Sequence, residues 1–178
     1  YPIVVASLPI LFVGFAGGSL YHATRASDYF LLLDILPIMI LVSLASLHFW
    51  QQLLHKFWLS GILVFAPVVV TRYFLVLIQP SVQIGVSVEY MGLAATILLP
   101  AALHCKRSHW RDVSYLLLGS LSFTSAIVCR ILDSARLLPM GTHFLWHVSG
   151  ALSAFYILQY ILRSYHWTAS PTPAPDGF

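Results

Sequence analysis

His143 and His147 stand four apart at the head of the last apolar stretch of the chain, in the string Gly141-Thr142-His143-Phe144-Leu145-Trp146-His147. On a helix, residues four apart lie one above the other on the same face. Hydrocarbon offers an imidazole no hydrogen-bond partner, so a stacked pair in a membrane helix must face protein, water or a metal. His22 closes the first apolar stretch, and Asp34 falls about two turns into the second. Three neutral imidazoles with an open fourth position make a catalytic zinc site. Such an ion lowers the pKa of its bound water to about 7 and so makes hydroxide accessible at neutral pH. Asp34 is then the group that accepts the water's proton or orients the water. Taken alone, such a histidine pair is more often interfacial polarity or a helix–helix hydrogen bond than a pair of ligands, and His22 alone says less still. What singles out the four residues is the level at which the helices place them.

Of 178 residues, 59% are hydrophobic and only 8% are charged, whereas a soluble domain carries about 25% charged residues. That balance belongs to a polytopic helical membrane protein. A formal charge of +3, scattered along the chain, excludes an electrostatic nucleic-acid surface. Apolar runs of roughly 20 residues predict six transmembrane helices, over about Ile3–Ala23, Tyr29–Phe49, Phe57–Ile78, Val82–Leu103, Val113–Leu132 and Thr142–Leu162. The first is too long, and lacks the basic flank, for a secretory signal. Short links make consecutive helices antiparallel neighbours in one bundle. Residues 1–167 are expected to form this transmembrane domain. Residues 168–178, with Pro171, Pro173 and Pro175, are expected to be a disordered tail.

Lys56, Lys106, Arg107, Arg111 and Arg163 gather at one end of the spans, against Arg25 and Arg136 at the other. The positive-inside rule therefore places the fourth-to-fifth link and the C-terminus in the cytoplasm. His22, Asp34, His143 and His147 then share a level within roughly 10 Å of depth toward the opposite side. Hydropathy does not require that coincidence, and ionisable groups inside a membrane are functional by default.

The remaining polar residues have plainer expectations. His48, His55, His104 and His109 flank helix ends and are interfacial. Asp133 is expected to pair with Arg130 or Arg136 and orient the link before the last helix, or else to line the mouth of the site. Arg72 and Glu89 are the most embedded charges of their helices, expected to pair with one another or to meet a lipid headgroup. Gly14, Gly17 and Gly18 permit close helix packing. Cys105 and Cys129 lack metal or redox spacing and serve as small hydrophobes.

These strings resemble the CREST superfamily, which includes alkaline ceramidases, adiponectin-receptor and haemolysin III-like proteins, and GPI-lipid remodelling hydrolases. The family pattern is a serine and histidine closing one helix, an aspartate in the next, and His-x-x-x-His in the last. Here it stands as Gly18-Ser19-Leu20-Tyr21-His22, then Leu31-Leu32-Leu33-Asp34-Ile35-Leu36-Pro37, then His143-Phe144-Leu145-Trp146-His147. The Asp-x-Leu-Pro string and the tryptophan before the final histidine are most similar to the alkaline ceramidase branch. So is Asp133, at the end of the penultimate helix. The family serine stands four residues before its histidine. Here Gly18 holds that place and Ser19 stands three before. The family has seven helices, and the seventh would precede Ile3.

The resemblance implies a ceramidase-like, all-α membrane bundle in which His22, His143 and His147 bind Zn(2+). It implies Asp34 as the catalytic proton carrier and Ser19 as a hydroxyl donor to the oxyanion. The implied reaction is hydrolysis of an N-acyl sphingoid lipid, drawn from the bilayer, to sphingoid base and fatty acid. A zinc-dependent lipid esterase or phospholipase-like acyl hydrolase would use the same chemistry. A receptor-like protein with structural zinc would instead fill the fourth position with a protein ligand. A scaffold without metal would merely hydrogen-bond its histidines.

Overall fold

A computed structural model describes residues 2–24, 27–135 and 137–169. Among the described residues every regular element is helical: α1 (Pro2–Thr24), α2 (Asp28–Leu54), α3 (Phe57–Ile78), α4 (Val82–Arg107), α5 (Val113–Leu132) and α6 (His143–Ala169), with a 3-10 turn at Asp133–Ala135. By length and composition all six helices can cross a membrane, which makes the chain an integral multi-pass membrane protein. Arg25 and Arg136, invoked for orientation, lie outside the described residues, as do residues 170–178 of the tail expected at 168–178, whereas residues 168 and 169 continue α6 and so are helical.

The spans of α3 and α5 coincide with those expected from hydropathy, whereas α2, α4 and α6 run on. The added turns carry Gln51 and Gln52, then His104, Lys106 and Arg107, then Arg163 and His166. Hydropathy falls where the hydrocarbon ends. The backbone ladder continues into the headgroup region until a cap stops it. For α2 the stop is His55, left-handed at φ 55°, whose N–H bonds the Gln51 carbonyl.

The helices form two compact units, residues 2–110 and 111 onward. In the first, α2 is the hub against which α1, α3 and α4 pack, and α3 also packs on α4. Glycines set the α1–α2 approach. A Cβ on Gly17 would meet the Leu33 carbonyl oxygen at 2.9 Å, and one on Gly14 would meet Pro37 Cβ at 3.0 Å. Pro37 has no N–H to give the Leu33 carbonyl one turn earlier, so a freed backbone oxygen faces the bare Gly17 backbone. Lower in α2, Ser46 Oγ donates to the Thr96 carbonyl of α4 at 2.5 Å, and both residues are buried. Such interhelical bonds hold membrane helices where no hydrophobic drive can.

The second unit is the α5–α6 hairpin. Gly119 admits the Ile157 side chain, with Tyr160 and Ile161 buried alongside. At the far end Asp112 accepts from Trp167 Nε1 at 3.1 Å and from Arg163 Nη1 at 3.5 Å. Arg111 lies over the Trp167 ring and Arg163 over the Tyr115 ring. Basic and aromatic side chains interleaved in this way suit a membrane–water boundary.

Candidate metal centre

In the first unit, His22 lies in the last turn of α1 and Asp34 about two turns into α2. His22 Nε2 stands 3.6 Å from Asp34 Oδ2, with the two side chains 33% and 14% exposed. The separation is too long for a direct hydrogen bond and brings the ring edge beside the carboxylate. Gly18 makes the approach possible, because a Cβ there would fall 2.5 Å from Asp34 Oδ1. At the place where the resembled family carries its serine, this chain has a bare backbone against the carboxylate. Ser19, one residue along, is on the exposed side of α1, whereas Gly18 is buried.

In the second unit, His143 and His147 occupy the first turns of α6. Their Nε2 atoms are 3.3 Å apart and the rings meet edge to face. Two nitrogens each 2.0–2.1 Å from one tetrahedral zinc must lie about 3.3–3.4 Å apart, so the donor spacing fits the ion that the resemblance implies. An N–H···N bond between the rings spans a similar distance with a proton on one Nε2, and that proton must leave or move to Nδ1 before both nitrogens can hold an ion.

Asp133 completes this group. Its Oδ1 accepts the backbone N–H of Thr142 at 2.7 Å and that of His143 at 3.0 Å. It thereby satisfies orphan donors at the start of α6 and opposes the positive end of the helix dipole. Its Oδ2 lies 4.0 Å from His143 Nδ1. At that distance the carboxylate flanks the ring without bonding it, and a proton on Nδ1 would leave the Nε2 lone pair for a metal, the tautomer that an outer carboxylate favours in metal-ligating histidines. Gly141 makes the turn, at φ +76°, and a Cβ on it would fall 2.5 Å from Asp133 Oδ1. Thr142 spends its hydroxyl on the Cys129 carbonyl at 2.6 Å instead of capping its own helix, so the cap comes from Asp133.

The sequence-based expectation for Asp133 was an arginine pair or a place at the mouth of the site. The structure gives Asp133 the α6 amides and the His143 ring, and lays the Arg130 guanidinium over the buried Trp146 ring at 5.6 Å. The separation of Asp133 from His143 in sequence has no helical period. The signal was the Gly141-Thr142 pair, a turn able to fold the chain back. His48 and His104, expected at helix ends, both pack on the fully buried Phe49.

An open apolar groove of about 360 Å³ runs along α2 and α3. Leu36, Met39, Ile40, Leu47, Val64 and Phe65 contribute to its lining. It begins two residues beyond Asp34 in the sequence and continues along α2 for about 11 residues, or roughly 16 Å.

Comparison with family models, curated proteins and solved structures finds no match to this chain.

Proposed function

We propose that this protein is a zinc-dependent intramembrane hydrolase that cleaves a ceramide-like lipid amide, with His22, His143 and His147 as the metal ligands. The observation that carries the reading is the 3.3 Å separation of the His143 and His147 Nε2 atoms beside Asp133. His22 joins the pair through the shared depth of these residues in the sequence and through the motif similar to the CREST superfamily. Zinc, when bound, supplies a Lewis acid that polarises a carbonyl and activates water at neutral pH.

The side chains do the rest. Asp34 receives the proton of the attacking water and passes it to the leaving amine, the general base becoming the general acid. His22 Nε2 stands 3.6 Å from that carboxylate, so the proposed ligand and the proposed base are neighbours. Asp133, with its Oδ2 4.0 Å from Nδ1, favours the His143 tautomer that leaves Nε2 for the metal. The groove on α2 and α3 offers an acyl chain an apolar track that begins near Asp34. Ser19 is the hydroxyl proposed for the oxyanion.

The test pairs metal content with substrate choice. Protein purified in detergent is expected to hold about one zinc per chain, and His143→Ala to hold almost none. Offered N-acyl sphingoid lipids beside O-acyl lipids of matched chain length, the wild type should release fatty acid from the amide. Release only from esters would make it an acyl-ester hydrolase. Tightly held zinc with no release from either would make the metal structural. Negligible zinc in wild type and variant alike would end the metal reading.

A further inference from the structure

The structure joins the two most embedded charges of α3 and α4: Arg72 Nη1 donates to Glu89 Oε1. The helices are close here because Gly92 has no side chain. A Cβ on it would stand 3.3 Å from Thr71 Oγ1. Arg72 lies about six residues, or roughly 9 Å, inside the end of α3. Glu89 lies at a similar depth in α4.

Despite the ion pair, the Arg72 side chain is 70% exposed and that of Glu89 is 34% exposed. The surrounding surface of α3 is apolar, with Val69, Tyr73 and Val76 all exposed. A guanidinium has five N–H donors, and Glu89 takes one of them. Donors turned toward hydrocarbon without acceptors are costly. The Cβ of a helical residue tilts toward the helix N-terminus, which for Arg72 is deeper into the bilayer. The acceptor must therefore come down to the guanidinium, as in the local thinning that intramembrane arginines produce.

Among the acceptors a bilayer supplies, the charged phosphodiester oxygens bind a guanidinium more strongly than neutral ester carbonyls do, and they suit the arginine fork. Charge then narrows the headgroup. Arg72 with Glu89 is neutral, and a phosphodiester alone would leave one uncompensated negative charge in a medium of low dielectric. An ammonium on the same headgroup restores neutrality if it meets Glu89. A primary ammonium carries N–H donors for that carboxylate, whereas a trimethylammonium carries none.

We propose that Arg72 and Glu89 form a binding site for one zwitterionic bilayer phospholipid with a primary ammonium headgroup, its phosphodiester on Arg72 and its ammonium on Glu89. The site is independent of the histidine centre and of the reaction proposed for it.

Native mass spectrometry of the full chain, released from mild detergent containing equal phosphatidylethanolamine and phosphatidylcholine, reads the site directly. The wild type should retain phosphatidylethanolamine over phosphatidylcholine by about tenfold, the worth of one charge-assisted hydrogen bond. Glu89→Gln should bring that ratio close to one. Arg72→Lys keeps the charge pair and so protects folding, which circular dichroism and gel filtration would verify. It should reduce retention of both lipids by about tenfold through loss of the fork. Equal retention of the two lipids by wild type would overturn the proposal, as would unchanged retention in both variants. Displacement of the lipid by chain-free glycerophosphoethanolamine would reassign the site to a soluble phosphodiester. A changed oligomeric state without changed lipid retention would mean that the pair faces another protein copy.

Discussion

Asp133 uses its two carboxylate oxygens differently, and the difference can be separated by substitution. Oδ1 accepts the Thr142 and His143 amides, whereas Oδ2 faces the His143 ring. Asp133→Asn keeps an oxygen for the amides and removes the negative charge beside Nδ1. Zinc affinity measured by chelator competition is expected to fall about 10–100-fold, with the unfolding midpoint nearly unchanged. Asp133→Ala removes the cap as well and should cost about 1 kcal/mol of stability besides. A drop in stability with no change in zinc affinity would reduce Asp133 to a cap. Gly18 supports a second separation. A Cβ there collides with Asp34 Oδ1, so Gly18→Ala should displace the carboxylate while leaving all three proposed ligands in place. The expected outcome is full zinc content with turnover lowered by about a hundredfold, the scale of a 1 Å misplacement. Parallel loss of zinc and turnover would show instead that the substitution disrupts the centre as a whole.

At the scale of helices, the glycines of α1 do for packing what hydrophobic burial cannot do in lipid. Gly17 faces backbone atoms of Leu33, which cannot swing aside as a flexible side chain can. Gly17→Ala should therefore destabilise the protein in detergent by about 1–3 kcal/mol, the usual range for overpacking. Gly61 in α3 has nothing within 4 Å of its would-be Cβ. Gly61→Ala should be neutral or stabilise by up to about 1 kcal/mol through helix propensity. Thermal unfolding of the two variants side by side checks the contrast, and equal effects would remove the packing argument for α1. The ends of α3 and α5 were legible in the sequence because Gln79-Pro80-Ser81 and Arg111-Asp112 break chain and hydropathy at the same place. The ends of α2, α4 and α6 were not, since there the helix outlasts the apolar band. The His143–His147 pair was legible because it obeys the helical period. The link from Asp133 to His143 was not, because it passes through the Gly141 turn and no periodicity spans it.

For the whole molecule the open question is which way the helices cross. The basic residues give an asymmetry strong enough to predict it. Lys56, Lys106, Arg107, Arg111 and Arg163 lie at one end of their helices. In the second unit Arg111 and Arg163 are fixed there by Trp167, Tyr115 and Asp112. Lys and Arg near short loops set orientation, and acidic residues contribute little. The α4–α5 link is therefore expected in the cytoplasm, and the α5–α6 link, with Asp133 and the His143 end of α6, on the other side. Cysteine labelling tests this cleanly, because the chain holds only two cysteines, Cys105 and Cys129. In a background with both replaced by alanine, Ser108→Cys reports on the first link and Leu138→Cys on the second. A membrane-impermeant maleimide applied to intact cells should label position 138 at once and position 108 only after permeabilisation. The reverse pattern would place the histidine end in the cytoplasm. A lipid hydrolase centred there would draw its substrate from the cytoplasmic leaflet, so orientation decides which leaflet supplies the amide.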